Sequence, residues 1–237
     1  PTTTMTVTWR TSTAASKCKI EYREAAKPAN MIEVKPQLFE TAAQDTIVGR
    51  MNLFSVTLDQ LKPGTKYLYR IGNDSNQWTS YYSFTTEDID TLTNNKFQFL
   101  IFGDSQSGSQ KVPDYTSWNA TIQNAYKANP QAKFFINMGD LVESGQYYQH
   151  WNNWFKAAGG VINKIPAMVV PGNHETYNAT GGSSTKPQYF RQQFKVFPNG
   201  PEGLQGQTYS YNYGKVHFVV LDSQGEEESE DYQGNVN

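Results

Sequence analysis

Cysteine, histidine and long apolar runs are all scarce in this 237-residue chain, and each scarcity closes off a class of protein. With one cysteine, Cys18, no intrachain disulfide and no thiolate metal cluster can form. Cys18 alternates with polar neighbours in "SKCKIEYR", the pattern of a small buried residue on a strand. Histidine occurs at positions 150, 174 and 217 alone. No run approaches the ~18 apolar residues of a membrane span, and no signal-peptide pattern is present. The abrupt strand-like opening "TTTMTVTWR" suggests that an earlier segment has been cut away. An excess of one charge is missing too: 20 Lys and Arg stand against 22 Asp and Glu, with no basic cluster. That argues against nucleic acid or an anionic membrane as partner, and a phosphate-binding role would need a local positive source such as a metal.

What is abundant is aromatic. Fifteen Tyr, 13 Phe and 5 Trp make the chain too aromatic for disorder and bias it toward β structure. Residues 1–88 carry period-two patterns. Met5, Val7 and Trp9 share a face, as do Cys18, Ile20 and Tyr22, then Phe54, Val56 and Leu58, then Tyr67, Tyr69 and Ile71, then Tyr82 and Phe84. Such alternation predicts sheets with one wet face. In "LDQLKPGTKYLYRIG" the Pro63–Gly64 turn precedes Tyr67, a spacing similar to the tyrosine corner of immunoglobulin and fibronectin type III sandwiches. Tyr67 as a plain core aromatic is the competing reading, and the surrounding strand spacing favours the sandwich.

The polar stretch 89–96 reads as a linker, and the pattern changes after it. "FQFLIF", "KFFINM" and "AMVV" are short apolar runs separated by helical periodicity, first at Tyr115, Trp118, Ile122 and Tyr126, then in "YYQHWNNWFKAAGGVI". Alternating strands and helices predict an α/β layer over 97–237. "TYSYNYGKVHFVVLD" predicts a hairpin turning near Gly214, with His217 a structural histidine on its second strand. His150 is expected to be a surface or packing residue at a helix start.

Each apolar run of the α/β part ends in a glycine followed by an oxygen-bearing side chain: Gly103–Asp104, Gly139–Asp140 and Gly172–Asn173, with His174 next. Ligands gather at the carboxyl ends of strands in α/β sheets, so the three turns are expected on one edge. Glycine permits a sharp bend and close approach. Two carboxylates drawn together without a counter-charge cannot both ionise cheaply, and a divalent cation removes that conflict.

"GDSQ…GDLVESG…GNHE" resembles the calcineurin-like metallophosphoesterase superfamily. The preceding sandwich, with "TTTMTVTWRT" and "LKPGTKYLYRIG", and the later "YSYNYGKVHFVVLDS", are similar to its purple acid phosphatase-like branch. The resemblance implies a fibronectin type III-like β-sandwich followed by a metallophosphoesterase domain, a β-sandwich flanked by helices with a two-metal centre at one edge. It implies that Asp104 binds the first metal, that Asp140 bridges both, and that Asn173 binds the second through its amide oxygen. It implies that His174 contacts the phosphoryl group and assists the leaving oxygen. The activity implied is hydrolysis of phosphate esters, most readily monoesters, by a water that two cations activate. Secretion or a cell-surface location is implied as well. An extracellular binding module that retains the phosphatase-like domain as a scaffold is the alternative, with Trp78, Tyr81 and Tyr82 as its contact residues.

Two positions depart from the family pattern. Glu143 stands where purple enzymes carry an iron-binding tyrosine, so iron is not specified, and Fe, Zn, Mn and Mg all stay open. Gln106 stands where many relatives have a histidine ligand. Two roles are open to it: a ligand through its carbonyl oxygen, or a hydrogen bond to metal-bound water. The later histidines of the family, including a G-H-x-H segment, have no counterpart up to Asn237, so the chain reads as the front part of a longer enzyme, truncated before its last ligands.

Overall fold

The computed structural model describes residues 1–12, 14–15, 17–34, 37–40, 50–94, 96–109, 111–178 and 186–224. They form two compact units, one of Pro1–Glu40, Arg50–Phe97 and Tyr213–Val216, the other chiefly of Gln98–Asn212.

The first unit is built from β1 (Met5–Ser12), β2 (Cys18–Glu24), β3 (Asn30–Val34), β4 (Gln37–Glu40), β5 (Arg50–Leu58), β6 (Lys66–Asn73) and β7 (Tyr82–Thr85). One sheet has the order β1-β5-β4 and the other β3-β2-β6-β7, with antiparallel neighbours throughout. Cys18, Ile20, Phe54, Leu58, Tyr67, Tyr69 and Phe84 form the core, and Met5, Val7 and Trp9 pack against it. These are the alternating positions read from the sequence. Trp9 lies opposite Phe54 in the β1–β5 register, and their rings stack at 5.3 Å. Tyr67 proves to be both a core aromatic and a corner: it is 4% exposed, and its hydroxyl accepts the Lys62 N–H at 2.9 Å. On the opposite, wetter face of the same sheet Arg70 makes a bidentate pair with Glu21, at 3.0 and 2.9 Å, and stacks over Trp78 and Tyr81.

The stretch expected to be a linker holds a short helix, α1 (Ile89–Asn94). Asp88 starts it, its carboxylate accepting the Thr91 N–H at 2.5 Å and the Thr91 hydroxyl at 2.8 Å. Polarity alone does not separate a capped helix from a loop.

The second unit runs β8 (Gln98–Phe102), α2 (Thr116–Ala128), β9 (Ala132–Asn137), α3 (Tyr148–Ala158), β10 (Ala167–Val169), a 3₁₀ turn (Asn173–Thr176), α4 (Gln188–Gln193), β11 (Tyr209–Tyr213) and β12 (Val216–Val220). Strands β8, β9 and β10 form a parallel sheet with β9 in the middle. In its register Phe102 and Val169 both pair with Asn137, so all three strands end level and the turns after them start from one edge. Helices α2 and α3 pack on each other, and Trp118 of α2 meets Phe102 of β8 edge-on at 5.1 Å. Trp118 stacks on Trp154 at 5.6 Å, and Asn119 and Gln123 donate to the backbone oxygens of Ala157 and Gly159 at 2.7 Å each.

The hairpin turns at Gly214, which has φ +61°. Phe218 stacks on Tyr211 at 4.8 Å and meets Phe99 and Phe134 edge-on. His217 faces solvent with Nδ1 on Asn212 Oδ1 at 2.7 Å, so it is a surface residue and not part of a packed strand face. Val216 beside it is also exposed, which shows that strict alternation fails at this strand.

Candidate metal centre

The turns after β8 and β9 share one geometry. Asp104 and Asp140 have φ of 51° and 50°, left-handed values that non-glycine residues seldom adopt and that Asp tolerates better than most. Their backbones are tied by the Asp104 N–H to Gly139 O bond at 3.1 Å, and Met138 N–H bonds Phe102 O at 2.9 Å. The glycines beside them act differently from one another. Gly139 has φ +108°, a conformational need, and a Cβ there would also lie 2.9 Å from the Gly172 backbone, whereas Gly172 is extended and needs space alone. A Cβ on Gly172 would lie 2.3 Å from Asp140 Oδ1. Nothing in the structure demands glycine at position 103, where a Cβ would meet its nearest neighbour at 3.9 Å.

The third turn locks onto the second. Asp140 Oδ1 accepts the His174 N–H at 3.1 Å. Glu175, 0% exposed, accepts from Gly172 N–H at 2.7 Å and Asp140 N–H at 2.9 Å on one oxygen, and from Val142 N–H at 3.1 Å on the other. Burial pushes Glu175 up to about 8, with Asp140's charge adding to the rise while the three N–H bonds oppose it. Ser105 fastens the first turn from below: its hydroxyl accepts from Asn137 Nδ2 at 3.0 Å and Trp154 Nε1 at 2.9 Å and donates to Leu141 O at 3.2 Å.

His174 is held by its ring. Nδ1 donates to the Glu143 carbonyl at 2.9 Å, which fixes a proton on that nitrogen. Glu143 Oε1 lies 3.8 Å from the same nitrogen, and Oε2 accepts the Gly108 N–H at 2.7 Å. Sequence reasoning marked Glu143 as the position where a tyrosine ligand is lost, and missed it as a partner of His174. Its place three residues after Asp140 was the available signal.

Asp140 and His174 are therefore joined by a direct bond, Asn173 is brought beside them as the chain neighbour of His174, and the Asp104 N–H ties the first turn to Gly139 O. Asn173 Nδ2 donates to the Tyr177 hydroxyl at 2.5 Å, so the amide oxygen is the atom with which it could meet a cation. Gln106 makes none of these bonds, and its Oε1 is buried without a hydrogen-bond partner. An orphaned carbonyl oxygen two residues after Asp104 is of the donor type that a hard cation takes. Among the described residues no group of three His, Cys, Asp or Glu is placed to hold a metal, so any ion here would lean on the amide oxygens of Asn173 and Gln106. The expected placement of His150 resolves to packing: it is fully buried on α3 and faces Tyr115.

A β-sandwich followed by a parallel α/β sheet whose strand tips carry Asp, Asp and Asn–His defines a two-domain phosphoesterase-type protein. Comparison with known proteins agrees. Residues 1–86 match the purple acid phosphatase N-terminal domain, and residues 97–232 match the calcineurin-like phosphoesterase domain. The chain belongs to the calcineurin-like phosphoesterase family, with the sandwich of its purple acid phosphatase branch. Two curated relatives, both from Arabidopsis thaliana, are "Probable inactive purple acid phosphatase 24" and "Purple acid phosphatase 23". They are 27% and 26% identical to it; each alignment covers 70% of this chain but 29% and 39% of the relative. A purple acid phosphatase from yellow lupin seeds shares the fold with TM-score 0.69 at 18% identity, over 92% of this chain and 42% of that one. The chain thus spans well under half the length of these relatives.

Proposed function

We propose that the protein is a metal-dependent phosphoesterase acting on phosphate monoesters. Asp104, Asp140, Asn173 and Gln106 are the residues that would hold two cations drawn from Fe, Zn, Mn and Mg. When bound, such ions supply an activated water and positive charge at the attacking and leaving oxygens. The chain's own residues do the rest. Glu175 gathers the N–H groups of Gly172, Asp140 and Val142, and Asp140 Oδ1 in turn takes the His174 N–H, so the second and third turns are held against each other. His174, its Nδ1 occupied by the Glu143 carbonyl, presents Nε2 to the phosphoryl or leaving oxygen and can give it a proton.

The observation that carries this reading is the level ending of β8, β9 and β10, with Asp140 bonded to the His174 backbone and a buried orphan oxygen on Gln106 nearby in sequence. The test uses the protein at its full natural length: metal content after purification, then turnover of a chromogenic phosphate monoester with added Mn, Zn or Fe. Near-stoichiometric metal and turnover that Asp140→Ala abolishes are expected. No turnover, or turnover indifferent to Asp140→Ala, overturns the assignment. Extracellular or cell-surface action is part of the proposal by likeness to the family.

A second reading has its own support. Several relatives carry "inactive" in their names, and Tyr81 is 40% exposed on the sandwich beside Arg70 and Trp78. On that reading the phosphatase-like unit is a scaffold and the sandwich binds a partner. Purification without metal would favour it.

A further inference from the structure

The mechanism above leaves one buried imidazole unused. His150 sits on α3, fully buried, and its Nδ1 lies 2.8 Å from the Tyr115 hydroxyl. Tyr115 is itself 4% exposed, just ahead of α2. The same hydroxyl accepts the Glu143 N–H at 3.2 Å. A tyrosine hydroxyl has one proton, and burial raises the Tyr115 pKa far above its ordinary value, so that proton stays in place. The Glu143 N–H donates to this hydroxyl, and two acceptors are in reach of its proton, His150 Nδ1 at 2.8 Å and Ser107, whose own proton goes to Ser109 O. With the proton directed to His150, that ring accepts at Nδ1 and is protonated at Nε2, while His174 carries its proton at Nδ1. The two histidines are then in opposite tautomers on either side of Glu143.

We propose that Tyr115 and His150 are positioning residues that set Glu143, and through its carbonyl the ring of His174. The chain of bonds is continuous: His150 Nδ1 takes the Tyr115 proton, Tyr115 takes the Glu143 N–H, and the carbonyl of Glu143 takes the His174 Nδ1–H. Glu143's carboxylate anchors the other side by holding the Gly108 N–H, which pins the loop that also bears Gln106. Helices α2 and α3, which carry no proposed ligand, thereby determine the direction in which His174 Nε2 points.

This inference rests on the phosphoesterase reading for its kinetic arm and is independent of it for its spectroscopic arm. The test uses the protein at full natural length, ¹⁵N-labelled at histidine, with the ring signals of His150 and His174 assigned by their loss in single His→Asn variants. In the wild type His150 is expected as the Nε2–H tautomer and His174 as the Nδ1–H tautomer. Tyr115→Phe removes one oxygen and no packing volume. It is expected to release His174 into a mixture of tautomers, and to lower kcat about tenfold with KM changed less than about twofold. His150→Gln keeps an amide oxygen for the Tyr115 proton and is expected to retain most of the wild-type rate and the His174 tautomer. His150→Phe is expected to behave like Tyr115→Phe. Ile122→Val, a packing change on α2 outside this chain of bonds, reports what loss of stability alone does to the same readouts.

An unchanged His174 tautomer in Tyr115→Phe overturns the proposal, whether or not the protein turns over phosphate. Should Tyr115→Phe fail to fold, the two His150 variants decide: equal behaviour of Gln and Phe overturns it, and rescue by Gln alone upholds it. A wild type without phosphatase activity but with the two opposite tautomers, lost from His174 in the variant, would sink the phosphoesterase reading and leave this one standing.

Discussion

Gly145→Ala is the most informative single perturbation of the site because its expected cost is purely steric. Gly145 is not among the residues of positive φ, so alanine faces no backbone penalty there. A Cβ, however, would lie 1.9 Å from Glu175 O, 2.3 Å from Glu175 C and 2.4 Å from Glu175 Cα. Backbone atoms cannot swing away as a side chain does, so the 143–146 loop must separate from the 174–177 segment. That breaks Gly145 N–H to His174 O at 2.8 Å and Gln146 N–H to Tyr177 O at 2.9 Å. Two such bonds contribute about 0.5–1.5 kcal/mol each, and overpacking adds about 1–3 kcal/mol, giving roughly 2–6 kcal/mol in all. Gly203→Ala is the matched control. It has φ +87° and nothing within 4 Å of its would-be Cβ, so only the left-handed backbone is penalised, by about 1–2 kcal/mol. Urea unfolding of both variants measures the difference. A Gly145→Ala protein no less stable than Gly203→Ala would refute the claim that the two loops are held back to back. Because the broken bonds belong to the His174 segment, turnover should fall in Gly145→Ala and not in Gly203→Ala.

Tyr67→Phe should cost about 1–2 kcal/mol with the sandwich otherwise intact, since it strips the Lys62 N–H of its acceptor and removes no packed carbon; a thermal midpoint equal to wild type would show that the corner is packing alone. The Arg70 guanidinium, and then the Tyr81 hydroxyl, hold the Glu21 carboxyl below its ordinary range. An acid with a depressed folded pKa contributes stability above its unfolded value, about 4.3, and loses it as pH falls through the lower folded value. The unfolding midpoint should therefore drop between about pH 4.3 and the folded value, and Glu21→Gln should flatten that limb while lowering stability at pH 7; parallel acid curves for the two proteins would contradict this.

The sandwich was legible almost residue by residue because each strand buries one face, and burial on one face writes a period of two into local sequence. The level edge of the parallel sheet was legible for a related reason: each apolar run must stop where the strand leaves the core, and Gly–Asp or Gly–Asn marks the stop. The helix at 89–94 was hidden, since it buries nothing and is set by a single cap at Asp88.

What lay outside local reach were the residues that support the turns bearing Asp104, Asp140 and Asn173. Glu175 bonds the Asp140 backbone across 35 residues, Glu143 takes the His174 proton across 31, and Tyr115 meets His150 across 35. In the sequence these are an acid after a histidine, an acid in a loop and two aromatic residues near helix starts, none with a pattern of its own. The sequence by itself determined which residues bend at strand ends and which carry oxygen donors, because those are properties of neighbours along the chain. Only the tertiary structure decided that Gly145 must lack a Cβ, that His150 is buried, and that Glu143 holds a histidine, because each depends on backbone atoms brought together by the packing of β8, β9 and β10 under α2 and α3.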